Sequence, residues 1–171
     1  MPKIYLSIGS NIDRNRNIPS SLRALSETFG HLVLSSTYET AAVGFDGPPF
    51  FNIVVLFESD LELRRVAEIA REIEIDHGRT QKSSKFSARS LDLDILLYGD
   101  LVVNDGRIQI PRDDILRYAF VLEPLAEIAP DETHPITKKK FSELWHAYNK
   151  NGLDQKIVSV PWSSENVNQT S

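Results

Sequence analysis

Residues 89–98, Arg-Ser-Leu-Asp-Leu-Asp-Ile-Leu-Leu-Tyr, constrain this chain more than any other stretch. Written as a strand, they put Asp92 and Asp94 on one face and Leu91, Leu93 and Ile95 on the other. The apolar run to Tyr98 predicts a strand buried on both faces by its end, and therefore a central one. Two carboxylates on so apolar a strand are costly to bury unless something cationic meets them. Their i, i+2 spacing sets the Cα atoms roughly 6.5–7 Å apart, within reach of one divalent cation or a pair. Oxygen donors with no neighbouring His or Cys favour Mg²⁺ or Mn²⁺ over zinc. An Arg or Lys partner would satisfy the same carboxylates, and spacing alone does not choose.

The residues leading into that strand carry the opposite charge. Arg79, Lys82, Lys85 and Arg89 alternate with Ser83, Ser84, Ser87 and Ser90. A cationic loop feeding a dicarboxylate strand suits a metal–polyphosphate substrate. The carboxylates hold the metal, the metal and the cations hold the phosphates, and the loop closes over them. A solvated loop ahead of an ion-paired strand is the alternative.

Composition removes several function classes. A formal charge of −5 argues against a general nucleic-acid binder. The absence of cysteine leaves no disulfide framework and no Cys–zinc site. No apolar run approaches transmembrane length, and Met-Pro-Lys-Ile-Tyr begins a strand rather than a signal peptide. The expectation is a soluble cytoplasmic protein with small-molecule substrates and neither nucleic acid nor membrane as partner, a monomer or weak homodimer. Its 171 residues suit one domain over 1–162, with polar residues 163–171 as a disordered tail.

In chain order, a strand over 3–8 ends in Gly9-Ser10-Asn11. Asn17 is the expected cap of a helix with Pro19 in its first turn, carrying Ile18, Leu22, Leu25 and Phe29 and stopped by Gly30. A strand over 32–39 follows, then a Gly/Pro-rich loop over 40–49 of the length that is often functional. Phe50 and Asn52 share a face of the next strand. Asp60 is the expected cap of a long helix whose Glu62, Glu68, Glu72 and Glu74 alternate with Arg64, Arg65 and Arg71 as a solvated ion-paired face. After the Asp strand, Asn104-Asp105-Gly106 predicts a hairpin, and 111–114 open a short helical piece. Residues 120–128 read as strand or helix, 138–148 as a last helix and 157–160 as a last strand. The β-α-β-β-α-β order over 3–98 predicts an α+β fold. Its core is ferredoxin-like, two helices on one face of a four-stranded antiparallel sheet, with an added C-terminal hairpin and helices. None of the four histidines has a convincing metal partner.

Several segments together carry a family resemblance. They are Ile8-Gly9-Ser10-Asn11, Tyr38-Glu39-Thr40 with Gly44, Phe51-Asn52, Glu74 and Gly78-Arg79. Arg89-Ser90-Leu91-Asp92-Leu93-Asp94-Ile95 fits R-[TS]-x-D-x-D-[IL], and 120–130 fit F-V-L-x-P-L-x-E-I-A-P. In this order over 3–136, the chain resembles the 6-hydroxymethyl-7,8-dihydropterin pyrophosphokinases of folate synthesis. The resemblance implies transfer of the β,γ-diphosphate of ATP to the pterin hydroxymethyl oxygen, with ATP as co-substrate and two Mg²⁺ ions. It implies Asp92 and Asp94 as metal ligands, and with them Arg79, Lys82 and Arg89 as catalytic, the cations gripping phosphates. Ile95, Arg107 and Arg112 fall along the nucleotide. Thr40, Ala42 and Val43 meet the pterin through the main chain. Asn52 pairs with the ring edge, and Phe50, Phe86 and Phe120 are the aromatic pterin contacts.

The departures concentrate in the ATP-gripping and loop-closing set. Pro111-Arg112 replaces Pro-His, Tyr118 stands where an Arg is usual with Arg117 one residue earlier, and Gln81 replaces a second loop Arg. Phe86 replaces a Trp and Ala88 a Pro. Arg112 supplies a guanidinium, which binds phosphate well. Three alternatives follow: a paralogue using a related reduced pterin, a different two-metal transferase, or a pterin- or nucleotide-binding protein with weakened catalysis.

Overall fold

The protein is seen in a computed structural model that describes residues 1–42, 47–78 and 91–162. In chain order the elements are β1 (Lys3–Ser10), α1 (Arg14–Phe29), β2 (Val33–Leu34), β3 (Thr37–Thr40), β4 (Phe50–Glu58), α2 (Leu63–Asp76) and β5 (Asp92–Tyr98). They continue with β6 (Val103–Asn104), β7 (Gln109–Ile110), α3 (Asp114–Arg117), α4 (Ala119–Ile128), α5 (Phe141–Ala147) and β8 (Gln155–Val158). The main sheet has the order β5-β1-β4-β3-β8, with β2 also on β4, and every pairing is antiparallel. β6 and β7 form a separate hairpin.

Strand alternation builds two cores. Ile4, Leu6 and Ile8 of β1 with Phe51, Ile53, Val55 and Phe57 of β4 pack against Ile18, Leu22 and Leu25 of α1 and Val66, Ile69 and Ile73 of α2. On the other face, Tyr5, Val54, Leu96 and Leu97 pack against Ile115, Val121, Leu122, Leu125 and Phe141 of the C-terminal helices. The chain is thus a mixed α/β fold with an antiparallel sheet covered on both faces.

The Asp strand holds its predicted faces but not its predicted place. β5 lies at the end of the sheet order and among the described residues pairs with β1 alone. Its apolar character comes from helices on both faces, and the Arg112 N–H donates to the Leu96 carbonyl at 3.0 Å along its outer edge. A register shift sets Tyr5 opposite Leu97 and Leu6 opposite Ile95, so Leu96 and Leu97 both join the second core.

Other boundaries moved for local reasons. α1 follows Asp13, which takes a left-handed conformation (φ 46°), while Asn17 donates from Nδ2 to the Ile12 carbonyl at 2.8 Å instead of capping. Pro19 therefore sits inside the helix. The strand expected over 32–39 breaks into β2 and β3 because Ser35 Oγ accepts the Val54 N–H at 2.9 Å, taking a ladder position with its side chain. β3 is then tied to α4 through Glu127, which accepts from Tyr38 Oη at 2.7 Å and Ser36 Oγ at 2.8 Å. α2 starts after Glu62, not Asp60. Residues 119–128 are helical despite Pro124, α5 is shorter than expected, and β8 starts two residues early. The expected tail, 163–171, lies outside the described residues.

Candidate active site

At one end of the sheet the register puts Asp92, Gly9, Asn52 and Tyr38 in one row across β5, β1, β4 and β3. The next row holds Asp94, Ser7 and Val54. Asp92 and Asn52 are therefore two strand spacings apart, about 10 Å between Cα atoms, with only Gly9 between them. A Cβ at Gly9 would lie 3.2 Å from Asn52 Oδ1 and 3.8 Å from Phe50 Cδ1. Glycine here leaves the floor between the carboxylates and the amide open.

Asn52 is buried and donates from Nδ2 to Thr40 Oγ1 at 2.8 Å. Its Oδ1 has no hydrogen-bond partner among the described residues and faces the space over Gly9. Thr40 sits opposite Phe50 in the ladder, and Ala42, half-buried, lies just beyond β3. Phe120, in the first turn of α4, stacks on Tyr118 with centroids 5.0 Å apart. Tyr118 thus occupies the departed Arg position as an aromatic neighbour rather than a cation.

On the carboxylate side, Asp94 Oδ1 lies 3.5 Å from Arg112 Nη2, and Arg112 Nε donates to Asp114 Oδ2 at 3.1 Å. Burial, and then the Asp92 charge, push the Asp94 carboxyl up to about 8, against the opposing pull of Arg112. Arg112 resists burial through Asp94 and Asp114, which hold its guanidinium above its ordinary value. Of the two alternatives the sequence left open for the Asp pair, the structure thus shows the Arg partner for Asp94.

Glu74 corrects a sequence expectation. It is buried rather than solvated, and its Oε2 accepts the Leu93 N–H at 2.8 Å, between the two Asp residues. The signal was present as the i, i+4 series Val66, Ala70, Glu74, which continues the buried stripe of α2.

A cavity of about 730 Å³ opens beside this carboxylate cluster, within the range of small-molecule sites. α2 contributes Arg64, Ala67, Ala70, Arg71 and Glu74, β5 contributes Leu93, Asp94 and Ile95, and the hairpin contributes Asp105, Arg107, Ile108 and Gln109, with Arg112 also in the lining. Ile95, Arg107 and Arg112, separate in sequence, thus meet in one cavity. Arg64 and Arg71 were not singled out by sequence, where they read as surface charge. Arg79, Lys82, Phe86 and Arg89 of the cationic loop, and Val43, lie outside the described residues.

A family model described as 7,8-dihydro-6-hydroxymethylpterin-pyrophosphokinase (HPPK) matches residues 5–130, which span the row, the cavity and α4. The chain belongs to this family. A 2-amino-4-hydroxy-6-hydroxymethyldihydropteridine pyrophosphokinase of Porphyromonas gingivalis is 38% identical over 136 residues, covering 76% of this chain and 92% of that one. One from Aquifex aeolicus is 32% identical over 146 residues, covering 84% and 91%. Among solved structures, an HPPK-DHPS in complex with substrates superposes with a TM-score of 0.71 at 12% identity, over 88% of this chain and 44% of that one. The chain thus spans less than half of that longer protein, and the likeness there is one of fold. No helix among the described residues of this HPPK-family chain is long and apolar enough to cross a membrane.

Proposed function

We propose that this chain transfers the β,γ-diphosphate of ATP to the hydroxymethyl oxygen of 6-hydroxymethyl-7,8-dihydropterin and releases AMP. One observation carries the reading. The Asn52 amide and the Asp92/Asp94 pair face the same open floor over Gly9, and a nucleotide-sized cavity adjoins the carboxylate end. A heterocycle held by Asn52 would extend its substituent toward the carboxylates, where the polyphosphate from the cavity also ends.

The donor set fits Mg²⁺, which takes oxygen ligands and commonly uses one or two carboxylates with water and phosphate completing its shell. Asp92 and Asp94 would hold the metal, two ions in our reading. When bound, it lowers the pKa of a coordinated hydroxyl and offsets phosphate charge.

The chain's own residues do the rest by positioning. Glu74 holds the strand between the two Asp residues, and Arg112 orients Asp94 while leaving part of its fork for phosphate. Ile95 and Arg107 line the nucleotide side. Thr40, Ala42 and Val43 border the pterin, and Phe50, Phe86 and Phe120 supply its aromatic contacts. Arg79, Lys82 and Arg89 grip the phosphates as the pterin oxygen attacks the β-phosphorus and AMP leaves in line. We read β5-β1-β4-β3 with α1 and α2 on one face as a ferredoxin-like core within one domain over 1–162, extended by β8 and the C-terminal helices. This chemistry needs no second subunit, and we assign a monomer or weak homodimer.

Mass spectrometry of products from Mg-ATP and 6-hydroxymethyl-7,8-dihydropterin tests the reading. AMP formed one-for-one with a pterin diphosphate is expected. Pterin binding without AMP would overturn it.

A further inference from the structure

Arg14, the first residue of α1, lies on the sheet face opposite Asn52. Its guanidinium carbon is 3.8 Å from the centroid of the Phe51 ring, and Phe51 points into the α1/α2 core while its neighbour Asn52 points to the site. From there Nη1 reaches Glu39 Oε2 at 2.9 Å and the Pro49 carbonyl at 3.0 Å. Glu39 immediately precedes Thr40 at the end of β3, and Pro49 immediately precedes Phe50 at the start of β4. One side chain therefore holds both stems of the segment joining these strands. Asn11, three residues earlier, adds a bond from Nδ2 to the Pro48 carbonyl at 3.1 Å.

On the opposite face the same stems carry the Thr40–Asn52 contact of 2.8 Å. In a pleated pair, successive side chains point to opposite faces, so a shift of Glu39 or Pro49 tilts Thr40 and Phe50 on the other side. We infer that Arg14 is a positioning residue for the pterin subsite: from behind the sheet it fixes the mouth of β3 and β4, and with it the geometry of the Asn52 amide. The inference rests on the pterin reading of that subsite. A guanidinium suits this work because its planar fork can serve a carboxylate and a carbonyl while stacking on a ring, which an ammonium cannot do together.

Steady-state kinetics of Arg14→Ala and Arg14→Lys in the full chain, with Arg16→Ala on the exposed side of the same helix as control, test it. Arg14→Ala should raise the pterin KM about tenfold, since small misplacements of a binding group weigh heavily. ATP KM and kcat should stay within about twofold, the signature of lost binding on one substrate alone. Arg14→Lys should fall between, and Arg16→Ala should match wild type. The Asn52 side-chain amide signals in ¹⁵N spectra read the clamp without substrate, and should shift and broaden in Arg14→Ala. Unmoved Asn52 signals overturn the inference, as does an unchanged pterin KM or an equal rise in both KM values. Wild type that makes no AMP from this pterin overturns the functional reading alone, and the Asn52 signals then decide the clamp by themselves.

Discussion

Removing one negative charge from the Asp pair should make the metal-free protein more stable while ending its proposed activity. Asp94 keeps about a quarter of its side chain exposed, shares its face with Asp92 and has Arg112 at 3.5 Å. Its carboxyl is raised by burial and by Asp92, so between an ordinary carboxylate value and about 8 the folded state binds a proton that the unfolded chain has released. The folded state then binds more protons than the unfolded one, and stability falls as pH rises through that window. Each unit of such a difference is worth about 1.36 kcal/mol. Partial exposure and the Arg112 charge screen the penalty, leaving roughly 1–2 kcal/mol at pH 8. Asp94→Asn removes the charge at nearly constant shape, and Arg112 keeps Asp114 as a partner. In a chain of this size the gain corresponds to a Tm higher by roughly 2–8 °C. Thermal unfolding in EDTA from pH 4.5 to 8.5 should show wild type and variant together at the acid end and diverging above it. Adding Mg²⁺ should raise the wild-type Tm and leave the variant's in place, so the gap narrows or reverses. A Tm difference that does not change with pH, or a variant less stable at pH 8, would refute the argument that Asp94 is short of positive charge.

Three further outcomes follow from the same geometry. Gly9→Ala places a methyl 3.2 Å from Asn52 Oδ1, and should weaken pterin binding about tenfold by fluorescence titration while ATP affinity holds. Glu74→Ala deprives the buried Leu93 N–H of its acceptor and should cost roughly 1–3 kcal/mol in urea unfolding. A loss confined to activity, with stability intact, would instead move Glu74 from holding the strand to meeting substrate. Arg112→Ala should raise the ATP KM about tenfold with the pterin KM unchanged, because the cavity and not the Gly9 floor loses its guanidinium. Equal effects on both substrates would contradict the division of the site at Asp94.

What the sequence made legible was what one strand or one helix carries by itself. The alternation in 91–95 set the carboxylates on one face and the leucines on the other, and the structure keeps that division up to the register shift at Leu96. Period alone could not say where the strand sits, because an edge strand covered by helices on both faces reads like a central one. The same limit hid Glu74. Its charge matched the exposed acids around it, and only its phase against Val66 and Ala70 marked it as buried. Arg112 met Asp94, and Arg14 met Glu39 and Pro49, through turns and a hairpin whose geometry no local pattern encodes. These long-range contacts share a consequence. Each of the two proposed half-sites has a cation that reaches a partner far from it in sequence: Arg112 reaches Asp94 beside the proposed metal pair, and Arg14 reaches Glu39 and Pro49 behind the amide. Between them stands Gly9, a residue with no side chain to contribute. If its role is to leave room, then the half-sites are independent, and Arg14→Ala combined with Arg112→Ala should lose affinity for each substrate as the single variants do, without added coupling.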